Sequence, residues 1–253
     1  MMLRKYNTQR SHSDNLKLGS FTAFSAGMVN VVSVIIFFSF TSNVTGHYAI
    51  LAQEIARNNW YQASIVVLWI FVFFFGNFTS NIFIIHGNTS KGRFIAHATP
   101  LALEILCLLA VGIYLQSFYN ESLNETEILV GLMLFSMGLQ NGLTASISNS
   151  VVKTTHLTGL TTDLGIFFSM ITKKEFREDK IVIEKGQLLL IIMFSYLAGG
   201  ITAGIIYYEL NYITLYIVCG ILTLIIIYDL SRLSFKKKII RKKINRKTTL
   251  NSV

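Results

Sequence analysis

The sequence predicts an all-α polytopic membrane protein with six transmembrane helices, and three observations carry that prediction. Apolar residues make up 52% of the 253-residue chain and charged residues only 14%, whereas soluble chains carry about 25% charged residues. Six apolar stretches are each long enough to cross a bilayer, which takes about 20 helical residues. Basic residues cluster in alternate connections between those stretches, as the positive-inside rule requires of a multi-pass chain.

A polar segment, residues 1–18, comes first and carries Arg4, Lys5, Arg10 and Lys17. It is followed by a full-length span rather than a short apolar core and a small-residue cleavage site, so it reads as a retained cytoplasmic segment and not a signal peptide. The spans cover about 19–40, 61–85, 95–117, 128–149, 186–208 and 211–231. Runs such as VVSVIIFF and IVVLWIFVFFF are β-branched and aromatic. In lipid, however, a segment that must satisfy its own backbone groups is helical. Cys107 and Cys219 fall inside the third and sixth spans, where a thiol behaves as a small apolar residue.

Lys91 and Arg93 lie between spans two and three, and Lys153, Lys173, Lys174, Arg177, Lys180 and Lys185 between spans four and five. The connection between spans three and four holds Glu121, Glu125 and Glu127 without a cation. Both termini are therefore expected on the cytoplasmic side of a bacterial inner membrane. The formal charge of +9 resolves the same way: nine of 22 basic residues lie from Arg232 onward with no acid among them, and the other 13 balance 13 acids. The tail, 232–253, follows the last span directly and is expected to meet anionic lipid headgroups, worth about 1 kcal/mol per cation. It has no interleaved aromatics or reader module, so nucleic acid is not an expected partner.

The second half of the chain repeats the order of the first. Ala26-Gly27-Met28-Val29-Asn30 corresponds to Met137-Gly138-Leu139-Gln140-Asn141, Thr45-Gly46 to Thr158-Gly159, and the stretch from Gly76 to Ile82 overlays Gly200 to Ile205. Repeat one spans about 19–117 and repeat two about 128–231. Each holds three spans, an odd number, so the charge-derived topology sets the repeats in opposite orientations, with broken or re-entrant segments after helices one and four. Inverted repeats with interrupted helices are the pattern of secondary transporters.

The Gly-x-x-Asn of span one, the Thr41-Ser42-Asn43-Val44-Thr45-Gly46-His47 run, Met137-Gly138-Leu139-Gln140-Asn141 and the run from Thr155 to Gly165 together resemble the YoaK-like family. These are bacterial six-helix membrane proteins grouped as domain of unknown function 1275. The resemblance covers roughly 19–231 and implies six helices, without a substrate. Family members often carry Asp where this chain has Asn30, so the resemblance implies no carboxylate role at that position.

Thr45-Gly46 and Thr158-Gly159 read as helix starts, where threonine caps the first turn and the positive end of the helix attracts an anion or polar solute. They serve either a solute pathway or gate, or a short interfacial helix. His47 and His156 beside them read as solvated boundary residues. Asn30, Asn77, Asn81, Gln140 and Asn141 lie within spans and either bond helix to helix or line a polar pathway. Gly27, Gly138, Gly142, Gly200 and Gly204 mark faces of close helix approach. Glu104 lies deep in span three and must be protonated, paired or hydrated, which makes it a candidate for proton coupling. Asp163, near the first turn of the second broken helix, is the other candidate carboxylate. Asp229 reads as solvated at the end of span six.

The expected function is secondary transport of an unknown small solute by alternating access. The alternative is a non-transporting membrane scaffold or lipid-interacting partner subunit. An enzyme is not expected, because no Ser/His pair, His-x-x-Glu-His motif or paired aspartates face one another; no metal or cofactor is expected, and an oligomer is compatible with the sequence.

Overall fold

A computed structural model describes residues 3, 10–87, 89 and 92–250, with side chains described as far as Arg232. The expected contact of the basic tail with lipid, carried by Lys236 to Lys247, falls outside the described side chains, and Arg4, Lys5 and Lys91 fall outside the described residues. Among the described residues the chain is helical, without strands, in the order α1 (His12–Phe37), α2 (Val44–Ala56), α3 (Trp60–Gly87), α4 (Arg93–Ser117), α5 (Leu123–Ser148), α6 (Leu157–Met170), α7 (Lys174–Glu178), α8 (Lys180–Leu210) and α9 (Ile213–Leu250). Six helices are long and apolar enough to cross a membrane: α1, α3, α4, α5, α8 and α9 as far as Arg232. The chain is thus a multi-pass membrane protein.

α1 begins seven residues before the apolar stretch because Ser11 and Asp14 form a capping box that starts the helix in the polar segment. Apolarity marks where a helix enters lipid, whereas capping marks where the helix begins. α5 starts with the same device, Ser122 with Glu125, and both helices are 26 residues long. Both also end on a left-handed residue, Phe38 and Asn149.

These two helices form the centre. Of their most apolar windows 61% and 67% is buried, against 28% for α3 and α8. The composition explains the difference. α1 and α5 carry small and polar residues inward, among them Ser25, Gly27, Ser136 and Gly138, together with the fully buried Met28, Met133 and Met137. α3 turns Phe71, Phe74, Phe75 and Phe78 outward, where lipid is as good a solvent as a protein core.

Two close helix pairs set the layout. α1 runs parallel to α8, with Gly19 beside Ile192 and Gly27 beside Tyr196 and Gly200. α3 runs parallel to α5, with Gly131 beside Trp69, Gly138 beside Gly76 and Gly142 beside Asn77 and Ser80. A Cβ on Gly27 would collide with the Tyr196 carbonyl oxygen, one on Gly199 with that of Phe24, and one on Gly138 with that of Phe73; on Gly142 it would lie 2.7 Å from the Asn77 carbonyl oxygen. A Cβ on Gly200 would press on the Val31 side chain at 2.9 Å and lie at ordinary contact distance, 3.6 Å, from the Gly27 carbonyl oxygen, and one on Gly204 would lie 4.0 Å from Val31. On the α8 side of the α1/α8 pair the critical residue is therefore Gly199, which a Gly-x-x-x-Gly pattern passes over. α4 packs against α5 and α9, and α9 closes against α1.

Gly27→Ala and Gly138→Ala should each destabilise the purified protein by about 1–3 kcal/mol, the usual cost of overpacking a filled contact. Gly220→Ala, where a Cβ meets nothing within 4 Å, should change the thermal unfolding midpoint in detergent very little; equal effects at all three positions would contradict the packing described.

Candidate functional site

After α1 the chain does not continue away from the bundle. Residues 38–43 turn back along the helix until the Thr41 N–H and hydroxyl reach the Asn30 Oδ1, at 2.9 and 3.1 Å. Asn30 lies seven residues before the end of α1, about 10 Å back along it at 1.5 Å per residue, so α2 begins well inside the length of its neighbour. Asn30 is 8% exposed, and its Nδ2 donates to the Tyr196 hydroxyl of α8. One amide therefore ties together α1, the returning loop and α8. The second half repeats the loop contact with Asn141, whose Oδ1 accepts from the Thr155 hydroxyl at 2.9 Å, while its buried Nδ2 has no counterpart of the Tyr196 bond among the described residues. Asn141 lies as far before the end of α5 as Asn30 does before the end of α1.

Both short helices then start inside the bundle. The caps differ from the sequence expectation: Thr45 and Thr158 are not N-caps but the second helical residues of α2 and α6. At α2 the cap is Asn43, whose side chain accepts from the Gly46 N–H at 3.2 Å. At α6 the N-cap is His156, which makes no side-chain capping bond. His47 also differs from its expected solvated state. It is 3% exposed, with its Nε2 against the Phe40 carbonyl at 2.9 Å and its ring edge-on to Trp69 at 5.6 Å.

Between these two helix starts lies a cavity of about 700 Å³. Asn30, Thr45, Thr158 and Gly159 line it, and so do Tyr196 and Thr155. Residues separated by more than 100 positions thus share one space. No residue of α4 or α9 and no Asp, Glu, Lys or Arg is among its lining residues. Tyr196 and Thr155 are the site residues that sequence reasoning passed over. The signal for Thr155 is its place just before Thr158-Gly159, in register with the segment before Thr45-Gly46; a tyrosine among the apolar residues of α8 carries no comparable signal.

A second cavity, of about 840 Å³, adjoins the first and shares His156 and Gly159 with it. It holds the charges: Arg10, Lys153, Lys185, Asp163 and Glu184. Asp163 sits in the second turn of α6, not at its start, and pairs with Lys185 of α8 at 3.7 Å. Exposed ion pairs of this kind add about 0–1 kcal/mol. Burial brings the Arg10 guanidinium down to about 10, opposed by Asp14 and Asp229, and desolvation with Lys153 nearby holds the His156 imidazole below its ordinary value.

The other polar residues singled out in the sequence lie elsewhere. The Gln140 Nε2 donates to the Ser25 hydroxyl at 2.8 Å, joining α5 to α1. Asn81 accepts from Ser146 at 2.9 Å, joining α3 to α5. The Asn77 side chain bonds the Phe73 carbonyl of its own helix at 2.9 Å, and its contribution to packing is its backbone against Gly142. Gly46 abuts its own cap, Asn43. Asp229 is not solvated but fully buried, and its Oδ2 accepts from the Leu3 N–H at 2.5 Å.

Glu104 is fully buried, with neither carboxyl oxygen hydrogen bonded to a described residue. It stands in the α4 layer against α9, beside Cys107 and Cys219, and does not line the cavity. An ionised carboxylate left unpaired in such a place costs several kcal/mol. Among the described residues no group of three His, Cys, Asp or Glu is close enough to hold a metal ion.

The model of a family described as protein of unknown function (DUF1275) matches residues 18–228. No curated protein and no solved structure matches the chain.

Asn30→Ala removes the acceptor of the Thr41 N–H and the partner of Tyr196. Hydrogen–deuterium exchange should then show faster exchange across 38–43, by about tenfold for a loss of roughly 1–2 kcal/mol, while the amides of α5 remain unchanged. Unchanged protection at Thr41 would show that the loop is held by something other than this side chain.

Proposed function

The chain belongs to the family of proteins of unknown function DUF1275, and we propose that it is a secondary transporter of a small solute working by alternating access between two inverted three-helix repeats. The observation that carries the reading is the cavity between the starts of α2 and α6, lined by Thr45 from one half and Thr158-Gly159 from the other.

The inverted relation is supported by paired features. α1 and α5 share length, capping box, left-handed end and the Gly-x-x-Asn of Gly27-Asn30 and Gly138-Asn141. Each asparagine receives the loop that follows its own helix. The close contacts are exchanged between halves, since α1 of the first packs on α8 of the second, and α5 of the second on α3 of the first. α2 and α6 are then re-entrant segments whose exposed backbone is tolerated because it lines a cavity.

The distribution of Lys and Arg supports a topology with both termini, and the charged cavity, on the cytoplasmic side of the membrane. The central cavity adjoins it at His156 and Gly159, which supports reading this conformation as open toward the cytoplasm. The backbone contacts at Gly27, Gly199 and Gly138 are the surfaces along which the halves would rock. Glu104 carries the coupling proton: a carboxyl buried without a partner cannot be indifferent to its own ionisation, and α4 passes the consequence to α5, which holds Asn141.

Two experiments test this. Single cysteines at Thr45 and Thr158 should both react with a water-soluble maleimide, Thr158→Cys faster from the cytoplasmic side, and locking the opposite conformation by crosslinking should reverse the order. Cysteines whose reactivity never changes with conformation would sink the alternating-access reading and favour a static scaffold. In proteoliposomes, Glu104→Gln should abolish gradient-driven accumulation while leaving exchange without a gradient within about twofold; equal loss of both would remove Glu104 from coupling.

A further inference from the structure

The wall of the central cavity also limits what it can take. No Asp, Glu, Lys or Arg is among its lining residues, while five charged side chains line the adjoining cavity. A charged solute at this wall would find no carboxylate, ammonium or guanidinium among the described lining residues to act as its counter-charge. A neutral solute needs none.

The polar groups that do face the cavity are mostly hydroxyls. Several amides and hydroxyls are already engaged: Asn30 with Thr41 and Tyr196, and Thr155 with Asn141. Thr45, Tyr48 and Thr158 are exposed residues lining the same space, and their hydroxyls have no hydrogen-bond partner among the described residues. A hydroxyl donates one hydrogen bond and accepts others, so three unengaged hydroxyls match a ligand that does the same. The rings of Phe40 and Phe73 complete the wall and offer flat apolar faces to the C–H face of such a ligand. The volume of about 700 Å³ is within the range of about 300–1,000 Å³ usual for small-molecule sites.

Resting on the transport reading, we propose that the solute is an uncharged, polyhydroxylated molecule of about hexose size, bound by the Thr45 hydroxyl from the first half and the Thr158 hydroxyl from the second. Each half then contributes one equivalent contact, and the solute keeps a partner as the cavity changes the side on which it opens.

The test uses full-length protein in phosphatidylethanolamine–phosphatidylglycerol liposomes and four labelled probes of similar carbon skeleton: glucose and sorbitol, both neutral, gluconate, an anion, and N-methylglucamine, a cation. At least one neutral probe should enter about tenfold faster than either charged one. Thr45→Val and Thr158→Val, near-isosteric and away from the glycine contacts, should each slow that entry roughly fivefold, the size of one neutral hydrogen bond, with unfolding midpoints unchanged. Faster entry of gluconate or N-methylglucamine overturns the neutral class while transport itself stands. Valine variants that transport as well as the parent overturn the assigned contacts. If none of the four enters in a protein-dependent way, the solute class is wrong, and the cysteine accessibility at Thr45 and Thr158, read separately, decides whether the transport reading falls with it.

Discussion

Lipid supplies no hydrophobic force between helices, so a membrane bundle is held by what its helices can do at close range. In this protein the closest approach is backbone on backbone, α1 against α8 and α3 against α5, at glycines whose missing Cβ leaves room for a carbonyl oxygen of the neighbouring helix. The other features take their positions from these contacts. Gly27 lies one turn before Asn30, and the residue whose carbonyl it accommodates is Tyr196, so the contact that joins the helices also brings the Tyr196 hydroxyl to the Asn30 amide. In the other pair, Gly138 stands one turn before Asn141 on the helix that packs against α3.

The asparagines solve a different problem. A loop that turns back into a bundle brings N–H and C=O groups that no helix satisfies, and in hydrocarbon each would cost several kcal/mol. The Asn30 oxygen takes both donors of Thr41, and the Asn141 oxygen takes the Thr155 hydroxyl. A side-chain amide suits this task because it offers an acceptor and donors without bringing a charge. The result is a polar space with no Asp, Glu, Lys or Arg among its described lining residues, beside a cavity lined by five of them, the separation on which the proposed choice of solute rests.

Glu104 stands apart from that space. Among the described residues it is fully buried and has no hydrogen-bond partner, yet no residue of α4 lines the cavity. In the proposed mechanism its effect on the solute is therefore indirect, through the packing of α4 on α5. Asp163 became less distinctive in three dimensions, since it is a partly exposed residue with Lys185 beside it.

The membrane class, six spans and the order of motifs were legible in the chain, because hydropathy over about 20 residues and the scarcity of charge are local properties that lipid converts directly into helices. Gly27, Asn30, Thr45, Gly138, Asn141, Thr158 and Gly159 also stood out, since polar and small residues are conspicuous in an apolar run. Other residues did not. Tyr196 looks like any aromatic of a lipid-facing helix, Gly199 falls outside the Gly-x-x-x-Gly spacing, and the start of α1 at His12 depends on a capping box that hydropathy ignores. Nor could spacing alone separate Asn77, Asn81 and Gln140, which bond within or between helices, from Asn30, which lines the cavity. By itself the sequence determined that the chain carries six segments long and apolar enough to cross a membrane and which residues are unusual there, because the bilayer reads composition one segment at a time. Which of those residues share a cavity, and which merely hold helices together, only the tertiary structure decided, because that depends on which face of each helix its glycines press against a neighbour.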